Sequence, residues 1–342
     1  MNVLSLFDGM SCGRIALERL GIPVDNYYAS EIDKYAIQVS QANYPDIIQV
    51  GDVTELDTST LPKIDLIMGG SPCQGFSFAG KQLAFDDPRS ALFFEFVRCV
   101  EELKPKYFLL ENVRMKKEYL DVISEYMGVE PIMINSALVS AQNRVRYYWT
   151  NIPGIEQPEQ RGIVLRDILE TKEVEGLSDK AIDYMNRSSS KWSGGKTRKD
   201  IYIKHESEKG MCLTANMHKG VPYGVIAVDS YREVRTEEAK QLRKEMRQKT
   251  GKDHTPFRAK KLVPREDGKV GTLTTSLTND HKISLTKKQE VYWRKLTPVE
   301  CERLQTVPDN YTNHVSNTQR YKMLGNGWTI EVIAHILKNM EL

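Results

Sequence analysis

The chain has 342 residues, of which 40% are hydrophobic and 27% are charged, and its formal net charge at pH 7 is +2. This length can bury a large core in one domain or two, and the composition is that of an ordinary globular protein. The small net charge gives little support to a nucleic-acid partner, and no apolar run approaches the roughly 18 residues of a membrane span. The five scattered cysteines lack C-x-x-C spacing, which argues against a zinc site or a disulfide framework and, with no signal peptide, predicts a cytoplasmic protein.

Strand and helix patterns alternate along the first 150 residues. The predicted strands are 3–7, 26–30, 47–50, 64–68, 107–110, 132–139 and 144–150. Helical spacing follows the first strand to about residue 20 and recurs over 33–43 and 91–103. Repeated strand–helix units predict an α/β fold with a parallel sheet covered on both faces, whose last two strands are joined by a tight connection.

The residue composition and the hydrophobic pattern of the sequence change after residue 154. Residues 155–290 lose the alternation and gain Lys, Arg, Ser, Gly and Thr, which predicts a second, irregular domain. Within it, 236–249 predicts a charged helix, and the similar pieces CLTANM (212–217) and GTLTTSL (271–277) predict short strands. The sequence then becomes compact again, with a helix predicted to begin at Thr297-Pro298. The predicted domains are 1–154 and 155–290, with a C-terminal segment, 291–342, that returns to the first domain.

Polar residues follow the predicted strands at their carboxyl ends, where ligands bind in an open parallel sheet. They are Asp8 with Gly9, Glu31, Asp52, Cys73, and Glu111 with Asn112. The loop FDGMSCG places Gly9 and Gly13 before a helix, and Glu31 follows about 20 residues later, where an acidic residue can hold ribose hydroxyls. With Asp52, which can accept a bond from an adenine amine, these residues indicate an adenosine-containing cofactor. Each alone is equally compatible with a tight turn or a solvated surface.

Cys73 and Glu111 point to chemistry on a pyrimidine. A thiolate at Cys73 can attack an electron-poor carbon such as carbon 6 of the ring, and a carboxyl group at Glu111 can supply the proton that activates the ring. Taken singly, a packed cysteine and a helix-capping glutamate are the commoner interpretations. Arg144 and Arg146 are two residues apart on a predicted strand, so their side chains point to one face and suit phosphate or carbonyl oxygens. A solvated edge strand with a cationic stripe is the alternative for this pair.

The segments SPCQGFS, ENV, QNRVR, LTPVECERLQTVPDNY and LGNG follow the order of the cytosine-5 DNA methyltransferase family, which the chain resembles over 3–152 and 293–335. FDGMSCG, VSAQNRVRYYWTNIPG and the Trp of GNGW look most like the catalytic domains of the animal de novo enzymes, whereas the short chain resembles a bacterial or bacteriophage enzyme. The resemblance implies a class I S-adenosylmethionine-dependent methyltransferase fold, Rossmann-like, with a smaller irregular target-recognition domain at 155–290. It also implies methyl transfer to carbon 5 of a flipped cytosine in a specific sequence of double-stranded DNA.

The resemblance further implies a role for each site residue. Cys73 would attack carbon 6, Glu111 would bind and protonate ring nitrogen 3, and Arg146, supported by Arg144, would bind the carbonyl oxygen of the base. Pro72 would orient Cys73 and offer its carbonyl group to the exocyclic amine. The residues implied to contact DNA are Gln74, Ser77 and Gln142. Those implied to bind S-adenosylmethionine are Phe7, Asp8, Gly9, Gly13, Glu31, Ile32, Asp52, Val53, Pro72, Asn326, Gly327 and Trp328. No metal is implied.

Other functions stay open on the sequence alone. One branch of the same family acts on transfer RNA, and the piece nearest to that branch's Cys-Phe-Thr motif is CLT at 212–214. A catalytically inactive, DNA-binding regulatory relative would be expected to lack the cysteine or the glutamate, and both are present. A Rossmann oxidoreductase is disfavoured because FDGMSCG lacks the G-x-G-x-x-G spacing. A restriction-modification system would add a companion restriction nuclease as a partner.

Overall fold

The structure is a computed structural model of the 342-residue chain. It describes residues 1–71, 91–170, 174, 176–188, 196–229, 231–235, 241, 244–245, 248, 260–264 and 291–341. The chain divides into two compact units. Unit 1 comprises Met1–Lys172, Ser207–Gly224 and Leu296–Leu342, and unit 2 comprises Glu173–Glu206 and Val225–Lys295.

Unit 1 includes polar segments that the sequence pattern placed in the irregular domain. These segments are residues 155–172 and 207–224. Backbone hydrogen bonds hold them in place: the N–H of Leu165 donates to the carbonyl of Glu208 at 2.9 Å, and the N–H of Gly210 donates to that of Ala141 at 2.7 Å. Composition does not reveal such pairing, because backbone bonds made by a polar segment leave no mark on the hydrophobic pattern.

A sheet of seven strands lies at the centre of unit 1. In chain order the strands are β1 Asn2–Leu6, β2 Asn26–Ser30, β3 Ile48–Gln49, β4 Leu66–Gly69, β5 Tyr107–Val113, β6 Ile132–Asn135 and β7 Val145–Thr150. Their spatial order is β3-β2-β1-β4-β5-β7-β6. The neighbours among β1 to β5 pair in parallel, whereas β7 is antiparallel to both β5 and β6. The predicted α/β fold is confirmed, and the final hairpin is antiparallel because its connection is too short for a parallel crossover.

Helices connect the strands. Unit 1 contains α1 Cys12–Arg19, α2 Lys34–Asn43, α3 Ala91–Leu103, α4 Lys117–Met127, α5 Leu165–Ile168, α8 Pro298–Leu304, α9 Asn317–Asn326 and α10 Ile330–Leu337. Unit 2 contains α6 Asp179–Asn186 and α7 Arg198–Tyr202. Helix α8 begins where the sequence predicts, because Thr297 and Glu300 form a capping box with bonds of 2.9 and 3.2 Å. Among the described residues, no helix is long and apolar enough to cross a membrane.

The hydrophobic core of unit 1 lies between the sheet and helix α3. Leu4 and Leu6 of β1 and Ile67 of β4 belong to the same cluster as Phe93 and Phe96 of α3, and all five side chains are fully buried. Parallel strands that are covered on both faces carry apolar side chains on both, so they read as continuous hydrophobic runs. This is the reason that the strands were visible in the sequence.

Unit 2 contains two small sheets. One has three strands in the order β12-β9-β8, and the other pairs β10 with β11. Their ranges are β8 Lys204–His205, β9 Val225–Asp229, β10 Tyr231–Arg235, β11 Lys260–Pro264 and β12 Val291–Lys295. The predicted strand in CLTANM is wrong, since Ala215–Lys219 forms a 3₁₀-helix and belongs to unit 1. The predicted strand at 271–277, and most of the predicted helix at 236–249, lie outside the described residues.

The segment Ser207–Gly224 packs against α9 through a close backbone approach at Gly325. A Cβ atom added to Gly325 would lie 2.1 Å from the carbonyl carbon of Thr214 and 2.3 Å from its oxygen. The backbone of Thr214 therefore occupies the space that a side chain on α9 would fill. This contact with a helix, rather than pairing with a strand, determines the conformation of CLTANM.

Replacing Gly325 with Ala is expected to lower the free energy of unfolding. In a helix interior Ala normally stabilises by about 0.5–1 kcal/mol relative to Gly, but overpacking at Gly325 is expected to cost on the order of 1–3 kcal/mol. Urea denaturation followed by circular dichroism measures the difference. The control is Thr318→Ala at an exposed position of the same helix, where a change within about 0.5 kcal/mol is expected. A Gly325→Ala protein as stable as the wild type would contradict the packing.

Candidate active site

A cavity of about 500 Å³ lies at the carboxyl ends of the parallel strands of unit 1. Its wall includes residues from the loops that follow β1, β2, β3 and β4, together with residues of β5, β7 and α9. The predicted site residues that line it are Phe7, Asp8, Gly9, Glu31, Ile32, Asp52, Val53, Glu111, Arg144, Arg146, Asn326, Gly327 and Trp328. The structure thus brings into one cavity residues that are separated by more than half of the chain.

Glu31, directly after β2, forms a hydrogen bond to the loop that follows β1. Its Oε2 atom accepts the N–H of Gly9 at 2.7 Å, and its Oε1 atom accepts the N–H groups of Ile32 and Asp33, both at 2.8 Å. Gly9 has a φ of 61°, a left-handed conformation that glycine adopts without strain. The carboxylate therefore shapes the cavity wall in addition to lining it.

Asp8 has a structural role that the sequence did not predict. Its Oδ2 atom accepts the hydroxyl of Ser11, and its Oδ1 atom accepts the hydroxyl of Tyr27 at 2.8 Å. Burial raises the pKa of Asp8 to about 6. Because both carboxylate oxygens bond to side chains of the protein, Asp8 stabilises the loop between β1 and α1.

Gly13 was predicted to contact the cofactor, but it is not among the residues that line the cavity. A Cβ atom added there would lie 2.4 Å from the sulfur of Met68 and 3.1 Å from the hydroxyl oxygen of Tyr27. The absence of a side chain thus allows α1 to lie close to strands β4 and β2. The glycine at this position is explained by packing.

Ile32, Asp52 and Val53 line the part of the cavity that follows β2 and β3. Asp52 Oδ1 accepts both the N–H and the hydroxyl of Thr54 at 2.9 Å, which fixes the carboxylate at the start of a 3₁₀ turn. Val53 is buried, whereas Ile32 is 73% exposed. A large exposed aliphatic side chain on a concave wall offers an apolar surface to a ligand.

Glu111 and Arg146 form an ion pair inside the cavity. Strands β5 and β7 place Arg146 opposite Val113 and Tyr148 opposite Glu111, so Glu111 and Arg146 are diagonal neighbours on one face of the sheet. Arg146 Nε lies 2.7 Å from Glu111 Oε1, and the two side chains are only 13% and 10% exposed. Trp328 Nε1 donates to Glu111 Oε2 at 3.2 Å. The carboxyl group is therefore held by an ion pair at Oε1 and by a hydrogen bond at Oε2.

Arg144 lines the same cavity but bonds to backbone. Its guanidinium group donates to the carbonyl oxygens of Leu213 at 3.0 Å, Gly325 at 3.3 Å and Gly327 at 2.8 Å, and the side chain is buried. These carbonyls belong to the segment Ser207–Gly224 and to the end of α9. The two arginines of QNRVR thus have different tasks, since Arg144 joins chain segments and Arg146 holds the carboxyl group.

Gln142 was predicted to contact DNA, and the structure contradicts this. The side chain is fully buried. Its Nε2 atom donates to the carbonyl of Leu304 and to the side-chain oxygen of Gln305, both at 3.2 Å, and its Oε1 atom accepts the N–H of Leu213 at 2.8 Å. The amide is thus engaged inside unit 1, and spacing within QNRVR could not distinguish this from an exposed position.

Four predicted site residues lie outside the described residues: Pro72, Cys73, Gln74 and Ser77. The residues that lead to them, Gly70 and Ser71, line the cavity. Asn112 donates from its side-chain amide to the hydroxyl of Ser71 at 3.3 Å.

Sequence reasoning missed several residues of the cavity wall. Lys322 and Met323 come from α9, and Met10 and Cys12 come from the loop and helix after β1. Lys322 forms a 2.9 Å ion pair with Asp33. For the α9 residues the one available signal was their position just before LGNG, since helical periodicity does not show which face lines a site.

The sheet and the cavity define an α/β protein with a ligand site at the carboxyl ends of its parallel strands. The structure is similar to the Dnmt2 methyltransferase of S. pombe, with a TM-score of 0.61 and 16% identity, over 98% of this chain and 97% of that chain. It is also similar to the methyltransferase EhMeth of Entamoeba histolytica, with a TM-score of 0.65 and 17% identity, over 99% and 97% of the two chains. These likenesses show the fold.

The match to one family spans residues 1–342, and the chain belongs to that family, the C-5 cytosine-specific DNA methylases. The chain is therefore an enzyme, a DNA cytosine-5 methyltransferase, and the family predicted from the motifs is confirmed. The type II methyltransferase M1.ScrFI of Lactococcus lactis subsp. cremoris is 30% identical to this chain over an alignment 352 positions long. The alignment covers 99% of this chain and 77% of that protein. The orphan methyltransferase M.SPRI of Bacillus phage SPR is 26% identical, over 99% and 97% of the two proteins.

The raised pKa of Asp8 predicts a pH-dependent contribution to stability. Because the folded-state pKa of about 6 exceeds the ordinary 3.8, the folded protein binds more protons between these values, and stability due to Asp8 falls as pH rises through this range. The free energy of unfolding of the wild type, relative to that of Asp8→Asn, is therefore expected to be higher at about pH 4.5 than at about pH 7. The expected difference is roughly 2 kcal/mol, since each pKa unit corresponds to about 1.36 kcal/mol. Urea denaturation of both proteins at the two pH values measures it. An equal difference at both would contradict the assignment.

Proposed function

We propose that the enzyme flips a cytosine out of a specific sequence of double-stranded DNA and methylates its carbon 5 with S-adenosylmethionine. The observation that carries the proposal is the Glu111–Arg146 ion pair, which faces the same cavity as Glu31 and Asp52. One cavity thus contains groups suited to a pyrimidine ring and groups suited to an adenosine. A base stacked in a duplex cannot enter such a cavity, so the target must leave the helix, at the expense of its stacking and pairing.

The residues of the cavity fit S-adenosylmethionine. Glu31 follows β2, where an acidic residue can hold ribose hydroxyls. Asp52 and Val53 would hold the adenine, and Phe7 and the exposed Ile32 offer apolar surface to its ring. The residues that would enclose the methionine end are Asn326, Gly327 and Trp328. When bound, S-adenosylmethionine supplies an electrophilic methyl group.

Cys73 would make carbon 5 of the cytosine nucleophilic. Its sulfur would add to carbon 6, which converts the ring into an enamine, and loss of the carbon 5 proton after methylation would expel the sulfur. Pro72 would orient the cysteine, and Gln74 and Ser77 would contact the DNA beside the flipped base. The roles of these four residues rest on the sequence.

Glu111 would protonate ring nitrogen 3 as the sulfur adds, because the electron density that enters the ring collects at this nitrogen. Arg146 holds the carboxyl group at 2.7 Å and would also bind the carbonyl oxygen of the base. Arg144 is a positioning residue in this proposal, since its guanidinium group bonds to backbone carbonyls.

Unit 2 would supply much of the DNA recognition. Its basic segments would neutralise phosphates, and side chains within it would read the base edges. The relatives named type II methyltransferases support a place in a restriction-modification system with a companion nuclease, and the phage relative supports a solitary enzyme. In either case the enzyme would act in the cytoplasm of a bacterial or phage-infected cell.

Bisulfite sequencing of plasmid DNA from bacteria that express the protein tests the activity and reads the target sequence. Protected cytosines in one recurrent sequence are expected from the wild type and none from Cys73→Ala, which should still bind DNA in a gel-shift assay. Cys99→Ala is the matched control, because burial raises the pKa of the Cys99 thiol to about 11 and keeps it unreactive. If the folded wild type protects no cytosine in DNA but methylates transfer RNA in a parallel assay, the proposal is wrong.

Glu111→Gln is expected to slow methyl transfer far more than it weakens cofactor binding. The amide has nearly the size of the carboxyl group but cannot deliver the acid proton, so the single-turnover rate should fall by roughly 10²–10⁴-fold. Transfer of a radiolabelled methyl group to plasmid DNA measures the rate, and isothermal titration calorimetry measures the Kd of S-adenosylmethionine. Glu118→Gln, at an exposed position of α4, is the control and should leave both unchanged. A weaker Kd with an unchanged rate would exclude the acid role.

A further inference from the structure

Trp328 contacts the residue proposed as the acid. Its indole Nε1 lies 3.2 Å from Glu111 Oε2, while Arg146 Nε lies 2.7 Å from Oε1. The sequence predicted Trp328 only as a wall of the cofactor cavity. The structure shows that the same side chain donates a hydrogen bond to the carboxyl group that Arg146 holds in an ion pair.

The surroundings of Trp328 favour this contact. A Cβ atom added to Gly70 would lie 2.9 Å from Glu111 Oε2 and 3.0 Å from Trp328 Nε1, so the glycine leaves the space in which the two groups meet. The carbonyl of Gly327 accepts bonds from Arg144 at 2.8 Å and from the side chain of Gln305 at 3.0 Å, which fixes the backbone directly before the tryptophan.

The backbone after Trp328 is fixed as well. The buried hydroxyl of Thr329 donates to Gln305 Oε1 at 2.8 Å and is 3.0 Å from the hydroxyl of Ser136. Both neighbours of Trp328 are thus held by side chains of other elements. The indole is therefore aimed at the carboxyl group by its surroundings.

The chemistry of Arg146 and Trp328 decides where an acid proton can reside on Glu111. An ion pair with a guanidinium group favours negative charge on Oε1, so the proton of a neutral Glu111 belongs on Oε2. An indole N–H is a donor only and cannot accept that proton. The indole N–H of Trp328 occupies one side of Oε2, so the O–H bond of a neutral Glu111 must point to the other side.

We propose that Trp328 is a positioning residue for Glu111, whose indole N–H directs the acid proton on Oε2 toward ring nitrogen 3 of the flipped base. The inference rests on the proposed function. In the transfer the O–H bond of Glu111 breaks, an N–H bond forms on the ring, and the resulting carboxylate keeps the ion pair with Arg146 and the hydrogen bond from Trp328. Since a bond donated to a carboxylate favours its charged form, Trp328 stabilises the product of the transfer.

The single-turnover rate on unmethylated plasmid DNA tests the proposal. Trp328→Phe keeps an aromatic wall but lacks the donor, so the rate should fall by roughly five- to tenfold, as for one lost hydrogen bond. Trp149→Phe is the matched control. It removes an indole donor to Ser124 Oγ at 3.0 Å in the core, so it should leave the rate unchanged.

A second measurement reads the contact without turnover. In wild-type protein labelled with ¹⁵N-tryptophan, the indole N–H signal of Trp328, assigned with Trp328→Phe, should shift in Glu111→Ala, and that of Trp149 should not. An unmoved Trp328 signal would overturn the inference, as would a Trp328→Phe variant with the wild-type rate or one altered only in its Kd for S-adenosylmethionine. If the wild type transfers no methyl group although the Trp328 signal shifts, the proposed function fails while the contact stands.

Discussion

The antiparallel pairing of β5 with β7 is the constraint on which the site depends. It sets Glu111 and Arg146 diagonally on one face of the sheet, close enough for a 2.7 Å ion pair in a largely buried position. A carboxylate in such a position would be expensive to bury without a cation. The parallel pairings deliver residues to the rim of the cavity, whereas this reversal of direction sets the carboxylate of Glu111 beside the guanidinium group of Arg146.

A second set of buried polar groups joins chain segments that are distant in sequence. Gln142, Gln305 and Thr329 are each fully or almost fully buried, and hydrogen bonds connect them in series. Arg144 adds bonds to the segment Ser207–Gly224 and to the carbonyl before Trp328. Buried amides and hydroxyls that satisfy one another specify a single arrangement more strictly than apolar packing does. These buried polar groups thus fix the backbone on both sides of Trp328, which lines the cavity.

The sequence predicted the strands and the residues at their ends well, because parallel strands are apolar throughout and their ends share one edge of the sheet. It did not predict the tasks of Asp8, Gly13 and Gln142. Those depend on which groups lie behind each residue, and neither spacing nor residue type contains that information. The error at CLTANM has the same origin, since its Leu-Thr pair is compatible with a strand and the pattern does not show that the backbone of Thr214 lies against Gly325 of α9. The contact between Trp328 and Glu111 joins residues 217 positions apart, which no local pattern reveals.

Unit 1 is assembled from three stretches of chain, and the last, Leu296–Leu342, supplies α9 and the tryptophan beside the acid. During synthesis, the 123 residues between Lys172 and Leu296 take roughly 6 to 25 s at the usual 5–20 residues per second. The sheet of β1 to β7 is therefore synthesised before α9 and Trp328, and the cavity is complete only after this last stretch has been made.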